Sequence, residues 1–125
     1  MIFGLAYVAV ALLELILDEL TIGGAVILDR TVLQNVVHWV IAIAVLGSFF
    51  AGENAARMVA RIVGIVLVVL AIWGFVDSDS LGNLLGYEED GIPAAYNWVH
   101  LVTGLAALFA GFFATRAYAS RPAAA

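Results

Sequence analysis

The 125-residue chain has no cysteine and no lysine, only two prolines, and charged side chains at 12% of its positions. The lack of cysteine removes disulfides, thiolate metal sites and thiol nucleophiles together. The shortage of charge excludes an ordinary soluble domain, in which roughly a quarter of residues are charged. Its five basic residues, all arginine, supply no basic surface for nucleic acid. No G-x-S-x-G, phosphate loop or zinc-protease motif occurs, so no enzyme chemistry is signalled.

What the chain does have is apolar surface. It is 65% hydrophobic, with a mean hydropathy of +1.09. Long apolar runs cover residues 2–17, 32–51, 58–76 and 93–118, each near the roughly 20 residues that cross about 30 Å of hydrocarbon. The first run has no basic segment before it and no small-residue cleavage site after it, only Asp18 and Glu19, and so reads as a span rather than a signal peptide. The expectation is a single integral membrane domain over residues 1–125, with spans at about 2–20, 31–51, 57–77 and 93–118.

Charge orients the spans. Arg57, Arg61, Arg116 and Arg121 lie in the second connection or at the C-terminal end. The first and third connections hold Asp18, Glu19, Asp29, Asp77, Asp79, Glu88, Glu89 and Asp90 against Arg30. The positive-inside rule then places both termini and the second connection in the cytoplasm and the acidic connections outside. Glu88, Glu89 and Asp90 precede the start of the fourth span, where a helix dipole favours anions; a face that collects cations or meets a basic partner is the sharper alternative.

The two halves repeat one another. Gly4 matches Gly64, Ala11 matches Ala71, Asp18 matches Ser78, Asn35 matches Asn97 and His38 matches His100, with the offset growing by two residues in the outer connection. Each unit holds two spans, so the copies enter the membrane in the same sense. The expected fold is all-α, a four-helix transmembrane bundle made of two tandem helical hairpins in a parallel pseudo-two-fold repeat. The partly apolar outer connections, TIGGAVIL and LGNLLG, read as short turns or helical pieces lying in the interface.

Helical spacing assigns the inward faces. Gly4, Tyr7, Ala11, Glu14 and Asp18 form one stripe, and Gly64, Leu67, Ala71, Gly74 and Ser78 another. Such small-residue stripes allow close approach between helices in lipid. Asn97, His100, Gly104, Ala107 and Gly111 share a face of the fourth span, and Thr31, Asn35, His38 and Ala42 a face of the second. Counted at 1.5 Å per residue, each histidine lies about 10 to 12 Å inside the outer boundary and Glu14 about 9 Å. The spacing therefore predicts one polar cluster in the outer half of the bundle: Glu14, Asn35, His38, Asn97 and His100, with Asp18 nearer its mouth. Trp39, Trp73 and Trp98 read as interface anchors or lipid-facing packing.

The segments RMVARIVGIVLVVLAIWGFV and NWVHLVTGLAALFAGFF resemble a bacterial and archaeal family of four-span membrane proteins, domain of unknown function 4383. That family's pattern is N-x-x-H-x-x-x-G in each half, with an arginine-containing inner connection and a G-F closing the third helix. The resemblance covers about residues 4–113. Asn97, His100 and Gly104 fit the full motif, Ala42 stands where the first half would have glycine, and Glu14 lies outside the pattern. The family has no established activity; the resemblance implies a fold, a motif and the cell membrane of a prokaryote.

Three functions are open to such a cluster. Asparagine and histidine can hydrogen-bond across the bundle in a structural or accessory subunit, with the bilayer and either a second copy or a larger membrane complex as partners. Alternatively, His38 and His100 can hold a ligand: a Zn²⁺ or Fe²⁺ ion completed by Glu14, or a haem. Against haem, an acidic outer rim offers its propionates Arg30 alone, and against metal, the Glu-x-x-His pair of di-iron bundles is missing. The third is a proton or cation path through Glu14 and the histidines, which an apolar inner half would interrupt.

Overall fold

The computed structural model describes residues 8–10, 12–13, 16–17, 19–29, 31–87 and 91–113. The first span falls largely outside these residues, as do Gly4, Glu14 and Asp18. Residues 8–10, 12, 13 and 16 are helical, and Leu17 N–H donates to Leu13 O at 2.8 Å. The span expected to reach residue 20 does not: Glu19 and Leu20 already belong to a β-strand.

That strand begins the first correction to the sequence reading. TIGGAVIL lies in an antiparallel hairpin, β1 (Glu19–Ile22) paired with β2 (Ala25–Asp29), instead of a turn or helical piece. Its register pairs Glu19 with Asp29 and Ile22 with Ala25, with an irregularity between Leu20 and Thr21. The physical reason is the Gly23-Gly24 pair, with φ of 60° and 82°. Two successive positive φ values make the tight turn that matches strand twist, and β-branched residues on both sides suit a pleated backbone.

Beyond the hairpin the described chain is helical. Helix α1 (Val32–Ala51) opens at Thr31, whose side chain accepts a hydrogen bond from Gln34 N–H at 3.1 Å. It closes at Gly52, φ 105°, which also caps the start of α2 (Glu53–Val76). One residue therefore reverses the chain between two long helices. Asp77 ends α2 and, by accepting from Ser80 N–H at 3.0 Å, starts α3 (Ser78–Leu85). Helix α3 stops in a Schellman arrangement: Tyr87 N–H donates to Gly82 O at 2.9 Å and Gly86 N–H to Asn83 O at 3.3 Å. Gly86 takes the left-handed conformation this requires. Pro93 then precedes α4 (Ala94–Phe113) and accepts from Tyr96 N–H at 2.9 Å.

Helices α1, α2 and α4 are long and apolar enough to cross a membrane; 20 residues at 1.5 Å each span about 30 Å. Their burial pattern is the reverse of a soluble protein's. Val36, Val40 and Ile43 on α1, Ile62, Ile65, Val69 and Ile72 on α2, and Val102, Leu105, Phe109 and Phe113 on α4 all face outward. The buried positions of α2 are Gly64, Leu67, Ala71 and Gly74, and those of α4 are Tyr96, Asn97, Gly104, Ala107 and Gly111.

These two small-residue faces form the main antiparallel contact. A Cβ on Gly104 would lie 3.0 Å from Val68 N, and one on Gly64 would lie 2.9 Å from Gly104 O and Leu108 N. Helices meet backbone to backbone here, as association in lipid by packing alone requires. Leu81, Tyr87, Ile92 and Tyr96 make a small apolar core that ties α3 to the start of α4, with Leu70 and Leu85 packed against it.

Candidate polar site between α1 and α4

Helices α1 and α4 each carry the N-x-x-H pattern one turn inside their N-terminal ends. Three residues of helix separate amide from imidazole, so the two groups lie on adjacent turns of one face. The two copies lie on different helices, and the element packed closely on α4 at this level is α2, through Gly74. Both histidines are half-buried, as is Asn35, while Asn97 is 2% exposed.

Asn97 owes its position to a glycine. A Cβ on Gly74 of α2 would fall on the Asn97 amide, 2.6 Å from its Cγ and 2.9 Å from Nδ2, with Oδ1 nearer still. The amide thus fills the volume that any other residue at position 74 would claim. The Tyr96 ring stands 6.5 Å from the His100 ring, tilted to it. Among the described residues, Asn97 Oδ1 and His100 Nδ1 are buried without a hydrogen-bond partner. Buried polar atoms of this kind cost free energy unless something supplies the missing bond.

Chemically, the site offers nitrogen and oxygen donors. An imidazole nitrogen with a free lone pair is a metal ligand, and an amide oxygen accepts from water or coordinates a cation. No group of three or more His, Asp or Glu side chains able to hold a metal occurs among the described residues. Glu14 and Asp18 lie outside them. Thr103, beside the site on α4, spends its hydroxyl on its own helix, donating to Val99 O at 2.5 Å, a local bond common for threonine within helices.

Two features went unread in the sequence. The first is a clasp over the N-terminal end of α1. Thr31 Oγ1 donates to Leu85 O at 2.6 Å, and Tyr87 OH donates to Gln34 Oε1, both buried or nearly so. The Thr-x-x-Gln spacing signals a helix start, in which the glutamine would reach back to the cap; here it reaches across to Tyr87. The second is the pair Arg57 and Arg61, which the charge pattern uses only for orientation. Arg61 Nε donates to Gly111 O at 2.8 Å and Arg57 Nη2 to Phe112 O at 3.3 Å, both onto backbone carbonyls of α4. Their target is backbone, so no residue pattern announces it.

No curated protein and no solved structure matches the chain. A family model does, over residues 1–113, which includes both N-x-x-H segments, the arginine-bearing turn and the glycine-lined contact of α2 with α4. The chain belongs to the family described as Domain of unknown function (DUF4383).

Proposed function

We infer that the protein is a small multi-pass membrane protein of four spans in two tandem hairpins, serving as a structural or accessory subunit rather than an enzyme. Its polar cluster joins Asn35, His38, Asn97 and His100 with Glu14 and Asp18, and fixes which helix faces meet. The observation that supports this best is the burial of Asn97, the amide of one N-x-x-H pair, at 2% exposure within an apolar span. The seating of Asn97 against Gly74 adds to it. Both termini lie in the cytoplasm by the distribution of arginine, and the outward apolar faces leave room for a second copy or a larger membrane complex.

The test is a double-mutant cycle with His38→Leu and His100→Leu, each unfolded by titration with a denaturing detergent. Polar contacts between membrane helices average about 0.6 kcal/mol and reach about 1.7 kcal/mol, so a coupling in that range is expected. Strictly additive losses would remove the structural role.

A second reading has an observation of its own. Asn97 Oδ1 and His100 Nδ1 are buried without partners among the described residues, which suits a metal ion or haem held by His38 and His100, with Glu14 as the third metal ligand. Elemental analysis and an optical spectrum of the purified protein decide it. Bound metal, or a Soret band lost in His100→Ala, establishes the ligand; a colourless and metal-free preparation excludes it.

A further inference from the structure

We propose that the end of the bundle where α1 turns into α2 binds the phosphate of an anionic phospholipid headgroup, with Arg61 as its principal contact and Arg57 beside it. The site lies at the opposite end of α4 from the histidines and uses none of the polar cluster.

Three observations carry the proposal. The first is the way Arg61 is held. Its Nε donates to Gly111 O at 2.8 Å, and its guanidinium carbon stands 4.5 Å from the centre of the Phe112 ring. Gly111 makes this possible, because a Cβ there would lie 2.7 Å from Arg61 Cγ and 3.0 Å from Arg61 N. The stem is laid across α4 and the plane of the guanidinium is set before any ligand arrives. Among the described residues neither terminal nitrogen of Arg61 has a partner. A fixed planar fork with two open N–H edges is the geometry that takes two oxygens of one phosphate.

The second is local charge. Arg57 adds a guanidinium that donates to Phe112 O at 3.3 Å and lies 3.5 Å from Glu53, an exposed pair. Arg57 and Arg61 stand here with one acid, Glu53, in a chain of net charge −5. The third is position. Arg61 reaches Gly111, about 26 Å along α4 from its start, close to the roughly 30 Å at which a span meets the headgroup layer. Phe112 and Phe113 beside it are exposed and apolar. A soluble anion would gain nothing from that apolar rim, whereas a lipid brings acyl chains to it.

Native mass spectrometry of the full-length protein tests this, using phosphatidylglycerol and phosphatidylcholine with identical acyl chains as probes. A basic residue at an anionic membrane surface corresponds to about a fivefold gain in binding, so wild-type protein retains phosphatidylglycerol at least fivefold over phosphatidylcholine. Arg61→Gln loses most of that preference, Arg57→Gln part of it, and Arg61→Lys keeps the charge but not the two-point contact, falling in between. Equal retention of the two lipids by the wild type overturns the proposal whatever the variants do. So does a preference that survives in Arg57→Gln and Arg61→Gln alike. Displacement of the lipid by millimolar inorganic phosphate assigns the site to a soluble anion and overturns the lipid. Should Arg61→Gln fail to fold, the wild-type comparison and Arg57→Gln carry the decision.

Discussion

Gly104 and Gly47 are both interior helix residues, and exchanging each for alanine separates packing from propensity. At Gly104 the new methyl would stand 2.9 Å from Val68 Cγ2, 3.0 Å from Leu67 Cβ and 3.0 Å from Val68 N. Val68 N is backbone, so the methyl cannot be accommodated by turning a side chain, and α2 and α4 must move apart. Overfilling a packed interface costs about 1–3 kcal/mol. Against this, alanine is the better helix former by about 0.8–1 kcal/mol. The net expectation for Gly104→Ala is a loss of about 0–2 kcal/mol. At Gly47 a Cβ meets nothing within 4 Å, so Gly47→Ala keeps the propensity gain alone and stabilises by up to about 1 kcal/mol. The difference between the two variants cancels propensity and isolates overpacking, about 1–3 kcal/mol. Reversible unfolding in mixed micelles, followed by far-ultraviolet circular dichroism, measures it. If Gly104→Ala stabilises as much as Gly47→Ala, the backbone-to-backbone contact of α2 and α4 does not exist.

Gly74→Ala should also destabilise, but here the methyl meets the Asn97 amide. Combining it with Asn97→Ala should therefore cost less than the two single losses together, a non-additivity of about 0.5–3 kcal/mol in the same titration; simple addition would contradict the seating of the amide. Tyr87→Phe leaves the buried Gln34 carbonyl without its hydroxyl donor. The expected loss is about 1–3 kcal/mol, with faster hydrogen exchange at the start of α1; an unchanged midpoint and exchange pattern would show that the clasp contributes nothing.

The helical part of this fold is legible because its cause is local. Long apolar runs bounded by Gly52, Asp77 and Pro93 give the ends of α1, α2 and α4 within a few residues. Helix α2 starts at Glu53, ahead of the apolar run at residue 58, since Gly52 rather than hydrophobicity sets its first turn. The hairpin is hidden by the same hydrophobicity: TIGGAVIL is apolar but for Thr21, and alternation, the usual mark of a strand, cannot be seen in it. Its Gly-Gly pair between β-branched residues was the available signal. At the candidate site, spacing alone puts Asn97 and His100 on one helix face. It does not contain the seating of Asn97 against Gly74, which depends on how α4 is set against α2. The Gln34–Tyr87 bond joins residues 53 positions apart, and each is unremarkable where it stands.

Among the described residues the large side chain that is completely buried is Leu81, and it belongs to α3, outside the three long helices. The spans themselves meet mainly through glycine, alanine and a few polar groups, with Leu67 among them. Heat-capacity change on unfolding reports apolar surface transferred to water, and separating these spans within a bilayer transfers almost none. The calorimetric response should therefore come from the α3 and α4 junction, with Leu81, Tyr87, Ile92 and Tyr96. Between the spans themselves, stability would vary with temperature along a nearly straight line, without the cold-side downturn of a water-soluble fold.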